Sequence, residues 1–191
     1  MSIPALIVAV VLAAAGAAAP GQSYKNTAPE SFRANAQVTN SAAGVAAQMT
    51  FMIDAYTPDA DRAPLLAALA SGGSPGFVEA LKKAKPVGSL QVGDLKVAIR
   101  YARMQATANG GRRIVVVTDA PVYFAGGGAL NAKPKEGFDV AVAEFDVDVV
   151  GLGSGRIAAA AKVKAGGPAG VQIDDYAQQP IKLVTVTRDA R

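Results

Sequence analysis

The sequence predicts an α+β protein that is mainly β: an antiparallel meander of about eight strands, closed as a barrel or folded as a sandwich, with an inserted helical hairpin. Stretches in which apolar and polar residues alternate recur through most of the chain, separated by short turns rich in glycine. Helical spacing occurs in one stretch, residues 58–85. Strands that follow one another through short turns pair antiparallel, whereas a parallel sheet needs a long crossover after each strand.

The first 19 residues have the features of a secretory signal peptide. Residues 3–19 carry no charge and end in three alanines, a small-residue pattern typical of signal-peptidase sites. An uncleaved membrane anchor is the alternative, because the stretch approaches the roughly 20 residues that cross a bilayer. Residues 20–30 are polar and contain Pro20 and Pro29, which predicts a disordered lead-in. We therefore expect an exported protein, periplasmic or secreted, in which residues 31–191 form a single β-rich domain.

Residue patterns predict the first two strands and the helical hairpin. The apolar residues expected to point inward from these strands are Phe32, Ala34, Ala36, Val38, Val45, Ala47, Met49, Phe51 and Ile53. Thr57 is the expected N-cap of the hairpin, and Pro58 is its expected first helical residue. Glycines at positions 72 and 73 separate the two predicted helices, and Pro86 ends the second.

Six further strands are predicted after residue 86. Their expected ranges are 87–92, 95–107, 112–118, 138–150, 156–164 and 181–187. The Asn109-Gly110 pair predicts a two-residue hairpin turn, because both residues tolerate positive φ, and this turn would place Arg100 opposite Asp119. The residues of strand 95–107 expected on one face are Leu95, Val97, Ile99 and Tyr101.

Several of these structural motifs occur together in a way that resembles a group of exported bacterial proteins of unassigned function. The motifs are the run from Thr57 to Arg62, the Leu65-Leu66 and Leu69 helix, Gly72-Gly73, the strand start Val87-Gly88-Ser89, and Arg112-Arg113-Ile114-Val115. The resemblance implies an export route and a shared fold, and it implies no activity.

Composition excludes several kinds of chemistry. The chain has no histidine and no cysteine, which excludes Ser-His-Asp and Cys-His catalysis, histidine-ligated metals and disulfides. Ser74 lies in a G-x-S-x-G match, but the match joins two predicted helices and no imidazole can activate the hydroxyl. We predict no cofactor, because neither glycine-rich nucleotide-binding motif occurs. The net charge of +4 is scattered along the chain, so no nucleic-acid partner is expected.

A row of acids is the first candidate site. Glu144, Asp146 and Asp148 alternate along one predicted strand, which places them on one face about 6.7 Å apart at about 3.3 Å per residue. This spacing suits the carboxylates of an inverting glycosidase or a calcium ion. The alternative is a set of solvent-facing ion pairs with Lys162 and Lys164 of the next strand, with Glu144 opposite Lys162.

The second candidate site is Asp174, Asp175 and Tyr176, which we expect in a polar loop between strands. The leading hypothesis for function is an exported, non-enzymatic domain that binds an apolar small molecule or an envelope partner, with the helical hairpin packed over the sheet. The alternatives are a carboxylate-dependent envelope glycoside hydrolase and a structural envelope protein. Membrane contact is expected only through the signal segment.

Overall fold

The structure is a computed structural model that describes residues 27–37, 47–122, 135–177 and 180–189. Its elements in chain order are β1 (Glu30–Gln37), β2 (Ala47–Ile53), α1 (Asp59–Lys83), β3 (Gly88–Val92), β4 (Leu95–Ala106), β5 (Arg112–Thr118), β6 (Val140–Val147), β7 (Leu152–Ala165), β8 (Val171–Tyr176) and β9 (Ile181–Arg188). The predicted signal peptide, most of the lead-in, and Val38 and Val45 lie outside the described residues. Within the described residues, no helix is long and apolar enough to cross a membrane.

Eight of the strands close into an antiparallel barrel, which confirms the predicted fold class and decides between the barrel and the sandwich. The order around the barrel is β1, β2, β3, β4, β5, β6, β7 and β9, and β9 pairs with β1 to complete the circle. The long strand β7 makes closure possible. Its first half pairs with both β6 and β9, and its second half leaves the barrel to pair with β8, the extra strand.

Side chains fill the barrel interior. The rings of Phe32 and Phe51 each lie with their centroids 5.2 Å from that of Phe145, and all three side chains are at most 1% exposed. Small and branched residues such as Ala143 and Ile114 complete this core. An eight-stranded barrel has just enough room for side chains or one small ligand, and here the described side chains occupy the room.

A second core forms outside the barrel, where α1 covers the outer faces of β4 to β8. The α1 residues in this core are Leu65, Leu69, Phe77, Val78 and Leu81. The helix is interrupted at Gly73, whose φ of 61° and ψ of −156° are not helical, so two helical segments meet at the predicted break. The expectation that the helical insertion packs over the sheet is therefore confirmed. It also explains why Val115 and Val117 of β5 are buried although they point outward.

Bulges change the predicted faces and register of β4. Ile99 points into the barrel and Tyr101 lies under the helix, so the prediction that they share a face is wrong. The cause is an irregularity between the two residues, which shifts the pairing with β5. The predicted two-residue turn is also wrong, because Thr107 N–H bonds to Gly111 O and three residues lie between them. Arg100 still reaches Asp119, with Nε 2.6 Å from Oδ2.

Candidate functional site

A groove with a volume of about 910 Å³ opens where the helical insertion joins the barrel. Its walls include two connecting segments, residues 54–58 leading into α1 and residues 84–87 leading from α1 into β3. Thr57 fastens the first segment to β4: its N–H donates to the Ala102 carbonyl at 2.9 Å, and its Oγ1 accepts from Ala102 N–H at 3.0 Å. The carbonyl of Val87 accepts two N–H bonds from the residues after β2, at 2.9 and 3.1 Å, which ties the two segments together.

The groove combines apolar walls with a charged rim. Its apolar lining includes Pro58, Pro64, Leu65, Ala84, Pro86 and Val87. Its charged lining comprises Asp54, Asp61, Lys83, Lys85 and Arg100. Within the described residues, neither lysine forms an ion pair, whereas Arg100 is held by Asp119 and donates from Nη1 to the Ala84 carbonyl. A concave apolar surface of this size with a few polar groups is typical of small-molecule sites.

The acids predicted on β6 are held by arginines instead of lysines. Asp146 accepts two hydrogen bonds from Arg113, at 2.7 Å from Nε and 2.8 Å from Nη2. Glu144 lies 3.0 Å from Arg156 Nη2 and 3.5 Å from Arg113 Nε. Its partner across the hairpin is Arg156, so the expected position opposite Lys162 is wrong. Glu144 and Asp146 therefore form ion pairs, as the alternative to a catalytic or calcium site predicted, but their partners are arginines and not Lys162 and Lys164.

The hydrogen bond from Arg113 to Asp146 raises the pKa of the guanidinium, against a smaller effect of burial. Glu144 and Asp146 each lie within ion-pair distance of an arginine. The catalytic carboxyls of a glycosidase flank the scissile bond and act on the substrate or on the attacking water. Here Arg113 and Arg156 occupy the oxygens of Glu144 and Asp146.

Asp148 does not continue the row on the strand. It lies in the turn between β6 and β7, where its Oδ1 accepts hydrogen bonds from the N–H groups of Val150 at 3.0 Å and Leu152 at 2.9 Å. An aspartate at the first position of a turn commonly binds the backbone two residues on. The structure therefore brings Glu144 and Asp146 together and gives Asp148 a separate role in the turn.

Asp174, Asp175 and Tyr176 lie on β8, and the prediction of a polar loop at these positions is wrong. β8 is short and mostly exposed on one side, so its polar composition resembles that of a loop. Asp174 forms an ion pair with Lys164 at 3.0 Å, and Asp175 Oδ1 accepts from Tyr176 N–H at 2.8 Å. Tyr176 lines a small cleft of about 260 Å³ on the outer face of the barrel.

The most connected polar group is one that sequence analysis assigned to the lead-in. Glu30 is the first residue of β1 and is 1% exposed. Its Oε1 accepts from Tyr56 OH and from Thr27 Oγ1, the latter at 2.9 Å. Arg112 Nη1 lies 3.0 Å from Oε1, and Arg188 Nε lies 2.9 Å from Oε2. We call these five residues the ionic plug, because they close one end of the barrel.

The ionic plug changes the acidity of its members. Burial alone would raise the pKa of Glu30, but hydrogen bonds from Arg112, Tyr56 and Thr27 and the charge of Arg112 hold that pKa below its ordinary value. Burial, and then the hydrogen bond to Glu30, raise the pKa of Tyr56. The sequence contains a signal for the plug. Glu30 is two residues before Phe32 and Arg112 is two residues before Ile114, so each should point to the same inward face as that apolar residue.

The Ser74 hydroxyl makes a structural contact. Ser74 Oγ accepts a hydrogen bond from Val163 N–H at 3.2 Å, so the hydroxyl connects the second segment of α1 to β7. Within the described residues, acidic side chains form no cluster of three or more that could hold a metal ion.

Comparison of the chain with protein-family models, curated proteins and solved structures found no match.

Proposed function

We propose that this protein is an exported, non-enzymatic binding domain, and that the groove at the base of the helical insertion holds a small amphiphilic molecule. The observation that carries the proposal is the groove itself, about 910 Å³ with apolar walls and charged residues at its rim. The filled interior of the barrel supports the groove as the ligand site, since a ligand needs space that side chains do not occupy. The export part rests on the apolar, uncharged residues 3–19.

The chemistry of the lining indicates the kind of ligand. Prolines and aliphatic side chains offer a surface for an alkyl or ring system, and Lys83 and Lys85 offer cations for an acidic or polar end. Asp54 and Asp61 add acceptors for hydroxyl or amine groups. The absence of histidine and cysteine is consistent with binding without chemical conversion.

The test is to incubate the purified protein with a lipid extract of bacterial envelopes, to re-isolate the protein and to identify co-purifying molecules by mass spectrometry. Ala55 is exposed and lines the groove, so Ala55→Trp should fill the groove and reduce the bound ligand at least about tenfold. The matched control is Ala67→Trp, an exposed position of α1 that does not line the groove. No co-purifying molecule, or equal loss in both variants, would contradict the proposal.

A further inference from the structure

The turn between β6 and β7 exposes more apolar surface than its geometry requires. Val149 is 79% exposed, Val150 is 72% exposed and Leu152 is 51% exposed. We propose that these three side chains form a membrane-docking tip that enters the surface of a lipid bilayer. The tip is separate from the groove, and the inference does not depend on the proposed ligand.

The tip is rigid. Gly151 N–H donates to the Asp148 carbonyl at 3.1 Å, and Asp148 N–H donates to the Leu152 carbonyl at 2.8 Å. The Asp148 carboxylate adds the two hydrogen bonds described above, and Arg188 N–H donates to the Gly151 carbonyl at 2.8 Å. A fixed turn loses little conformational entropy when it binds, so its aliphatic side chains are prepared for contact.

A second turn of the same construction shows that geometry does not demand these valines. In the turn at 107–111, Thr107 N–H donates to the Gly111 carbonyl at 2.9 Å, and Gly110 N–H donates to the Thr107 carbonyl at 3.1 Å. These two bonds join the same turn positions as the bonds of Asp148 and Gly151 in the tip. The fourth residue of each turn is a glycine with positive φ, 82° at Gly110 and 88° at Gly151. The central pair is Ala108-Asn109 in one turn and Val149-Val150 in the other. Branched valines are unfavourable at turn centres and costly in water, so a function for them is the better explanation.

The position of the tip favours a lipid surface as its partner. The tip lies at the barrel end where β1 begins, since Arg188 bonds to Gly151 and is paired with Phe32 of β1. Residues 20–26 connect this end to the apolar stretch 3–19, and they can span at most about 25 Å. While the apolar stretch remains attached, as in the uncleaved anchor, the bilayer that holds it is therefore kept within reach of this end of the barrel. Arg188 lies beside Gly151, but its guanidinium is paired with Glu30, so the lipid contact that we propose is made by the apolar side chains of the tip.

Because the chain contains no cysteine, a single introduced thiol can report on the tip in the full-length protein. Val150→Cys, labelled with a polarity-sensitive fluorophore, is mixed with vesicles of phosphatidylethanolamine containing about one quarter phosphatidylglycerol. We expect a blue-shifted, several-fold brighter emission that a lipid-borne quencher reduces. The control is Asp94→Cys in the β3–β4 turn at the opposite barrel end, which should stay in water.

Two results would overturn the inference. Emission from position 150 that does not change with vesicles would show that the tip stays in water. Burial of the label without vesicles, increasing with protein concentration, would assign the tip to a contact between copies of the chain. A second variant protects against misfolding: Leu152→Asn in the labelled protein should weaken the vesicle response about tenfold, whereas Leu95→Asn, an exposed leucine at the other end, should not change it.

Discussion

Replacement of Glu30 by glutamine tests the importance of the ionic plug. The substitution keeps the size of the side chain and removes its charge, so two guanidiniums lose their shared counter-ion. Arg112 is affected most, because its side chain is only 8% exposed and water cannot replace the carboxylate. Removal of one partner from a buried ion pair costs about 3–5 kcal/mol.

We expect the low end of that range, about 3 kcal/mol, because the glutamine carbonyl can still accept some of the plug's hydrogen bonds. This loss corresponds to a fall of roughly a hundredfold in the folding equilibrium constant. Glu144→Gln is the matched control, since Glu144 also contacts two arginines. Its side chain is 28% exposed and those of its partners are 57% and 38% exposed, so we expect a loss below about 1 kcal/mol.

The assay is urea denaturation followed by far-ultraviolet circular dichroism, because the chain has no tryptophan. The folded-state pKa of Glu30 is lowered, so its stabilisation is present above its ordinary value of 4.5 and disappears as the pH falls through the folded-state pKa. The difference in unfolding free energy between the native protein and Glu30→Gln should therefore be largest near neutral pH and shrink in acid. Equal destabilisation by Glu30→Gln and Glu144→Gln, or a difference that grows in acid, would refute the reasoning.

Three other substitutions probe packing and are checked by the same denaturation measurement. Phe145→Ala removes the ring that contacts both other phenylalanines of the barrel core, so we expect a loss of about 3–5 kcal/mol. Gly88→Ala would place a Cβ 2.1 Å from the Met52 carbonyl oxygen, which forces β2 and β3 apart and should cost about 3 kcal/mol or more. Gly72→Ala meets no atom within 4 Å in α1 and should stabilise the protein by about 0.5–1 kcal/mol.

The order of elements could be predicted from local patterns, because each strand alternates over several residues and each turn has its own residue signals. Phe32, Met49 and Phe51 occupy the expected inward positions for this reason. The two faces of β4 could not be predicted past Ile99. A bulge adds one residue without any signal in the alternation, and every side chain after it changes face.

The contacts of the candidate sites were harder to predict than their elements. The β6–β7 hairpin is centred at residue 150, three residues earlier than the expected pairing of Glu144 with Lys162 requires. This difference gives Glu144 the partner Arg156. The ionic plug joins residues about 80 and 160 positions apart, Glu30 with Arg112 and Arg188, and such a meeting depends on barrel closure. The groove depends likewise on two connecting segments that are distant in sequence. Spacing within one segment carries no information about either.

Closure and filling of the barrel leave its outer face and its ends for binding, and one end gathers the features described above. Ile53, the last residue of β2, pairs with Glu30 of the plug, and Asp54 and Ala55 of the groove follow it directly. A bilayer that holds the tip would therefore face the barrel end at which Asp54 and Ala55 enter the groove. We therefore expect Val149→Ala combined with Val150→Asn to slow loading of the groove from vesicles several-fold and to leave loading from detergent micelles unchanged. These replacements occur at the same positions of the turn at 107–111, so the turn should keep its form. Equal slowing from both sources would separate the tip from ligand uptake.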